Sequence, residues 1–372
     1  MRMMPQMTGT PSKNICFFSG DITRCGGTEK VSITIANMLR REGRHRVFFL
    51  SLTEGDPDPF FPLEPGIDRY RLGQRWIGPG PGYIKVIPKL RKFLKERDVD
   101  VIIDIDVVLD CLSIPAAKGL KTKVISWEHF NCQFEQSVRY RRHIQNYSVK
   151  RSDYIVTLTE KDREAYQQRL GRGERIRAIY NPMEKAVVEP GAVQGKQIVT
   201  VGRLAPQKGV DHLARVAEIV LHKHPDWTWV LLGEGEQRTF LEGEIRARGL
   251  EERLILAGKV ENVGSYLQRS RIYVMTSRWE GFPLCLLEAK ACGLPCVAFD
   301  VPTGPAELIN HGVNGFLVPA FDRPEMAEKI QRLMEDETLR AGFSHRAGQG
   351  TEKCRGDYIL SQWNEVIGQV CG

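Results

Sequence analysis

The chain has 372 residues, of which 42% are hydrophobic and 27% charged, and it carries a formal net charge of +7. That length exceeds what one hydrophobic core usually serves, so two domains are expected, with the composition of a soluble globular protein. No run approaches the roughly 18 consecutive apolar residues of a membrane-spanning helix, and the opening MRMMPQMTGTPSK lacks the apolar stretch of a secretory signal, so it reads as a leader before the first strand.

Short apolar runs alternate with helical patterns along the chain. Ile15–Phe18 reads as a buried strand, followed by a glycine-containing turn over Gly20–Gly27 and a helix over Thr28–Arg41. Val47–Leu52, Val101–Ile105, Val124–Trp127 and Tyr154–Leu158 repeat the strand pattern. None alternates polar with apolar, which predicts strands covered on both faces and hence a parallel sheet. Asn181–Gln194 is rich in Pro, Gly and polar residues and reads as a linker. A second series follows: strands at Ile198–Val201, Trp227–Leu232, Leu254–Ala257, Ile272–Thr276, Pro295–Phe299 and Gly315–Val318, with helices over Val210–His222, Gln237–Arg248, Val263–Arg269, Leu284–Cys292 and Pro324–Glu335. Gly356–Val370 reads as a terminal helix. The expected organisation is α/β: residues 1–185 as a first Rossmann-like domain, 186–355 as a second, and 356–372 as a helix packing back on the first.

The nine cysteines form no C-x-x-C pair and no Cys/His cluster at zinc spacing, which fits a reducing, cytoplasmic compartment. Cys16, Cys285 and Cys296 lie in apolar runs and are expected to be small buried hydrophobes. The charge is uneven. Tyr83–Arg97 has six basic residues against one acidic, and Arg139–Arg151 has five basic and none acidic. Such patches suit phosphates, nucleic acid or anionic lipid, or are simply solvated helix faces. Neither interleaves aromatic platforms with its cations, so no nucleic-acid partner is expected. In the first patch, Val86, Ile87, Leu90, Phe93 and Leu94 share one helical face and Lys85, Lys89 and Lys92 another. The apolar face either lies on a membrane surface or packs on the first sheet, and Pro88 confines the helix start.

Three loops carry candidate chemistry. Gly26 and Gly27 open a helix directly after the first strand, where a backbone can approach an anion, although neither a G-x-G-x-x-G nor a Walker pattern is present. Arg203 and Lys208, in the loop Gly202–Gly209 after the first strand of the second series, can neutralise a departing diphosphate. Thr276–Cys292 (TSRWEGFPLCLLEAKAC) places Glu280 in a loop and Glu288 about one turn into the next helix, whose N-terminus favours phosphate. Two carboxylates so placed would bracket a nucleotide sugar.

Glu280 and Glu288 reproduce an E-x7-E motif. With Gly202-Arg203, Lys208-Gly209, Gly26-Gly27 and the run GPAELINHGVNGFLVP from Gly304, the chain resembles family 4 of the retaining glycosyltransferases. The resemblance is strongest over Ile198–Pro319. It implies a GT-B fold, two Rossmann-like doubly wound domains facing each other across a cleft. It further implies that Arg203 and Lys208 hold the donor diphosphate and that Glu280 contacts sugar hydroxyls near the backbone of Gly281, Phe282, Pro283 and Leu284. Glu288 would bind the ribose, Gly258, Lys259 and Val260 would read the base, and His129 in ISWEHFN would orient the donor sugar. Asp104-Ile105-Asp106 matches D-x-D, but the metal-binding D-x-D belongs to the other glycosyltransferase architecture, so no metal or cofactor is expected. The implied activity is retaining transfer of a hexose or N-acetylhexosamine from a UDP-sugar to a glycan acceptor, lipid-diphosphate-linked, by a cytoplasmic enzyme peripheral to the inner membrane face. A nucleotide-sugar-binding protein without turnover, or a transferase using an ADP- or GDP-sugar, are the other readings.

Overall fold

The computed structural model describes residues 12–73, 81–132, 139–171, 173–183 and 195–372. The chain divides into two compact units, Met1–Pro182 together with Gly356–Gly372, and Met183–Arg355. Most of the expected leader, and residues 184–194 of the expected linker, lie outside the described residues.

The first unit holds seven strands: β1 (Asn14–Ser19), β2 (Arg46–Ser51), β3 (Asp68–Arg71), β4 (Val101–Ile105), β5 (Lys123–Trp127), β6 (Tyr154–Thr157) and β7 (Ile176–Ala178). They form one sheet in the order β3-β2-β1-β4-β5-β6-β7. Every pairing is parallel. Central runs such as Ile15–Phe18 and Val101–Ile103 are buried throughout, as continuous apolar strands covered on both faces must be. Two strands have no counterpart in the sequence reading, β3 (DRYR) and β7 (IRA). Both lie at the sheet edges, where no apolar run is needed.

The helix Ile87–Glu96 begins with Pro88 in its first turn, where a missing N–H costs nothing. Val86, Leu90 and Leu94 are buried in the core under the sheet, with Tyr83, Ile87 and Phe93 packed against it. The apolar face of this basic segment therefore packs on the first sheet, and the reading that lays it on a membrane is set aside. The cationic face is left in solvent, with Lys85, Lys89, Lys92 and Lys95 exposed. The terminal helix Gly356–Cys371 buries Ile359, Trp363, Val366 and Ile367. Trp363 stacks edge-on against Trp127 at 4.7 Å between centroids, and Asn364 donates to the Glu42 carboxylate at 2.9 Å.

The second unit holds β8 (Gln197–Val201), β9 (Thr228–Leu232), β10 (Leu254–Gly258), β11 (Ile272–Met275), β12 (Cys296–Asp300) and β13 (Gly315–Pro319), ordered β10-β9-β8-β11-β12-β13 and all parallel. Helix Val210–Lys223 buries Val210, Leu213, Ala214, Ala217, Val220 and Leu221, the i, i+3, i+4, i+7 stripe of one face. That stripe meets Met326, Ala327, Ile330 and Leu333 of helix Arg323–Glu335 in one core. Helices Arg323–Glu335 and Glu337–His345 start on aspartate caps, Asp322 and Asp336, each accepting a backbone N–H three residues on. Cys16 and Cys296 are fully buried as expected, whereas Cys285 is only half-buried. No helix among the described residues is long and apolar enough to cross a membrane.

Candidate active site

In each sheet the chain order reverses at one place. Ligands of open α/β sheets bind outside the carboxyl ends of the strands at that reversal, because the flanking loops diverge there and leave a crevice. In the second unit the reversal lies between β8 and β11. The loops leaving those two strands are Gly202–Gly209 and Thr276–Pro283, and they carry Arg203, Lys208 and Glu280.

The two loops are sewn together by short hydrogen bonds. Arg278 N donates to Gln207 O at 2.7 Å, Gln207 Nε2 to Trp279 O at 3.0 Å, and Thr276 Oγ1 to Lys208 O at 3.0 Å. Arg278 also pairs with Asp211 at 2.6 Å. Gly209 lies between them at φ +62, and a Cβ there would overlap the Thr276 carbonyl oxygen. Only glycine supplies both that backbone conformation and that approach.

Across this seam Lys208 Nζ donates to Glu280 Oε1 at 2.7 Å. The Glu280 side chain is 7% exposed and that of Lys208 is 24% exposed. Burial works against the Lys208 charge, but the facing Glu280 carboxylate, with Cys285 beside it, holds the ammonium above its ordinary pKa. Arg203 is exposed and has no ion-pair partner among the described residues. The arrangement offers one fixed ammonium, one exposed guanidinium and one buried carboxylate, which is what a diphosphate beside a hydroxylated ring requires.

The remaining donor-side positions gather around the same sheet end. Gly202 and the next loop are in contact through Gly202 N donating to Leu232 O at 2.9 Å, and Gly233 N donates to Gly258 O at 2.8 Å. Gly258 adopts φ +70, with Lys259 exposed and Val260 half-buried after it. Gly281 is half-buried, Phe282 and Pro283 are buried, and Leu284 opens the helix Leu284–Ala291 that carries the half-buried Glu288. Gly304, at φ +98, sits under this turn, since a Cβ there would lie 2.7 Å from Pro283 Cδ. Thr303 Oγ1 holds the Glu280 carbonyl at 2.5 Å. The sequence reading passed over Thr303, Arg278 and the run Gly233-Glu234-Gly235. The last could have been noticed as glycines directly after a strand; Glu234 there pairs with Arg238.

The first unit reverses between β1 and β4. The glycine pair Gly26-Gly27 does start helix Gly27–Glu42, with Gly26 as its N-cap. Glu29 turns its carboxylate back onto its own backbone N–H and against Gly26, with Arg24 Nε 3.8 Å away. The Glu29 carboxylate thus occupies the approach to Gly26 and Gly27, the pair expected to meet the donor. Burial pushes the Glu29 pKa up.

His129 follows β5, is 8% exposed, and its buried Nε2 has no hydrogen-bond partner among the described residues. Burial drives its pKa down to about 3, so the imidazole is neutral at physiological pH. Its ring lies 4.4 Å from that of Trp127. The D-x-D carboxylates do not converge. Asp104 is fully buried, accepts from Ser113 and is hydrogen-bonded to Asp110, whereas Asp106 pairs with Arg141 at 3.3 Å. Asp106 has φ +91, a backbone strain of about 1–3 kcal/mol for a residue with a Cβ. Among the described residues no group of three His, Cys, Asp or Glu side chains is placed to hold a metal ion.

Residues 184–350 match the family described as glycosyl transferases group 1, and residues 25–186 match glycosyltransferase family 4. An uncharacterized glycosyltransferase of Haemophilus influenzae is 32% identical over 356 residues, 95% of this chain and 100% of that protein. A Campylobacter jejuni alpha-1,4-N-acetyl-D-galactosaminyltransferase, named for a diNAcBac-PP-undecaprenol-linked acceptor, is 25% identical over 93% of this chain and 96% of its own. The solved structure of Anabaena Alr3699/HepE with UDP and glucose superposes with a TM-score of 0.80 at 21% identity, covering 95% of this chain and 99% of that one. Fold and comparisons together define a glycosyltransferase of the GT-B class. Within that class the chain belongs to glycosyltransferase family 4, the group 1 transferases.

Proposed function

We propose that this glycosyltransferase moves a hexose or N-acetylhexosamine from a UDP-sugar to a hydroxyl of a glycan acceptor, with retention at the anomeric carbon and without a bound metal. The observation that carries the proposal is the Lys208–Glu280 pair, 2.7 Å apart at the strand-order reversal of the second unit, with the exposed Arg203 on the same loop. Lys208 and Arg203 take up the negative charge that grows on the leaving diphosphate, Lys208 as a cation fixed by Glu280 and Arg203 as one free to reach the phosphate from solvent. Glu280 accepts from sugar hydroxyls while Lys208 fixes its carboxylate. Glu288 meets the ribose, the Gly258 turn meets the base, and neutral His129 offers Nε2 to a donor-sugar hydroxyl. No side chain serves as a covalent nucleophile. The acceptor hydroxyl approaches the face that the phosphate leaves and gives its proton to the departing phosphate oxygen.

The acceptor is a lipid-diphosphate-linked glycan of surface-polysaccharide assembly, worked on at the cytoplasmic face of the membrane. The Campylobacter relative's undecaprenyl-diphosphate substrate supports this class. So do the exposed Lys85, Lys89, Lys92 and Lys95, whose cations suit an anionic membrane surface while the apolar face of their segment is packed in the core. A thermal-shift series with UDP-, GDP- and ADP-sugars tests the donor, since a ligand stabilises the fold in proportion to its binding. UDP-sugars should raise the melting temperature most, and no response to any UDP-sugar would overturn the donor assignment. Sedimentation with vesicles of anionic or zwitterionic lipid tests the membrane face, and equal binding to both would remove it.

A further inference from the structure

An open sheet ends in two edge strands, and a soluble protein guards each against pairing with another chain. Three of the four edges in this molecule carry such a guard. The strand β3 (DRYR) holds three charged side chains, with Asp68 paired to Arg46 at 3.1 Å and Arg69 to Glu54 at 2.9 Å. On β7, Arg177 pairs with Glu365 of the terminal helix at 2.6 Å. The outer side of β13 is closed by the turn that precedes it. There Leu317 N donates to His311 Nδ1 at 3.3 Å and Gly312 N to Gly315 O at 2.9 Å, and the strand ends on Pro319.

The fourth edge, β10, has no such device. Its sequence, LILAG, contains neither a charge nor a proline. One side of it pairs with β9, and among the described residues no strand or side chain hydrogen-bonds to the other side along 255–257. Ile255 is 38% exposed although it stands in register with the buried Val230, so the apolar face of the sheet runs on to its rim. Leu256 and Ala257 are half-buried. An uncharged, apolar edge is a template for one more strand.

The flanking charges say which strand fits. Glu251 and Glu252, both exposed, precede β10, and the exposed Lys259 follows it. Arg253, between the glutamates and the strand, turns its guanidinium back onto Leu221 O at 2.6 Å. A second β10 laid antiparallel brings the acidic end of each strand to the lysine end of the other, and two-fold symmetry makes that contact twice. A parallel copy would set acid against acid.

We propose that two copies of this chain pair antiparallel through β10, joining their six-stranded sheets into one continuous sheet with Ile255 close to the two-fold axis. The pairing does not depend on which nucleotide the enzyme takes. It does bring the second copy near the turn at Gly258 and Lys259, which directly follows the shared strand.

Sedimentation velocity of the full chain, from about 1 to 100 µM, reads the pairing, since that range brackets a micromolar dissociation constant. Thermal melts check that each variant is folded. The wild type should sediment as a dimer at the upper end. Ile255→Lys puts on β10 the charge that guarded edges carry, and should weaken the dimer by about ten-fold or more. Glu251→Lys with Glu252→Lys, both at exposed positions, should weaken it similarly, and adding Lys259→Glu should restore it, because opposite charges face each other again. A monomer at every concentration, a dimer indifferent to Ile255→Lys, or failure of Lys259→Glu to restore the pairing would each overturn the proposal.

Discussion

Lys208 and Glu280 give the sharpest test of the site, because one interaction carries both its stability and its chemistry. Replacing Lys208 with Met keeps the length of the side chain and removes the ammonium. Glu280, 7% exposed, then loses the cation 2.7 Å away. Stripping one partner from a buried pair costs about 3–5 kcal/mol. Lys208 is 24% exposed, so the pair is partly wetted and the lower end applies. For a unit of this size, about 3 kcal/mol lowers the melting temperature by about 6–12 °C. Glu280→Gln leaves only a lysine that can turn to water, at about 1 kcal/mol. In the double variant the orphaned carboxylate is gone, so it should be more stable than Lys208→Met alone, with a coupling of about 2 kcal/mol. Thermal melts of the four proteins measure the cycle, and UDP release from donor measures turnover. Turnover should fall about 100- to 1,000-fold in Lys208→Met, the range for removing one preorganised charge stabiliser. Strictly additive stabilities, or near-normal turnover in Lys208→Met, would refute the reasoning.

Three further outcomes follow from other parts of the molecule. Gly209→Ala should destabilise the second unit by about 3 kcal/mol or more, since a Cβ at φ +62 would meet the Thr276 carbonyl rather than a yielding side chain; a melting temperature equal to wild type would show that the two loops are not rigidly joined. Arg203→Ala should leave the melting temperature unchanged, since the side chain is exposed, and lower turnover at least ten-fold; a normal rate would remove it from the site. Burial first, and then the neighbouring Asp110 carboxylate, raise the Asp104 pKa, and burial raises that of Asp110 to about 6. The folded state then holds protons that the unfolded chain has released, so this pair stabilises at low pH and the contribution is lost as pH rises from about 4 through 6. Asp104→Asn keeps a donor toward Asp110 and leaves one carboxyl to ionise. Urea midpoints measured from pH 4 to 8 should decline less in the variant than in wild type, and parallel curves would count against the shared proton.

The central strands were legible because burial on both faces leaves no room for polar residues, so runs such as NICFFS and RVFFLS announce themselves. The edge strands β3 and β7 were not, since DRYR is largely exposed and IRA spans only three residues. In the site, Lys208 and Glu280 could each be picked out from their loops. Their pairing could not, because it joins residues far apart in the chain through a strand-order reversal that only the folded sheet displays. At Gly26 and Gly27 the pattern shows the helix start but not the Glu29 carboxylate that lies against it, since a rotamer leaves no mark in the sequence. Asp104 and Asp106 looked alike in sequence because they are two residues apart. Positions two apart in a strand share a face, but Asp106 lies past the strand end, where its positive-φ backbone turns it to Arg141 while Asp104 stays in the core.

The terminal helix Gly356–Cys371 completes the first unit although the whole second unit separates it from the rest of that unit in sequence. Its Trp363 braces Trp127, and Trp127 in turn braces His129. During synthesis from the N-terminus, the strands of the first unit are therefore made well before the helix that braces this ring, with the whole second unit translated in between.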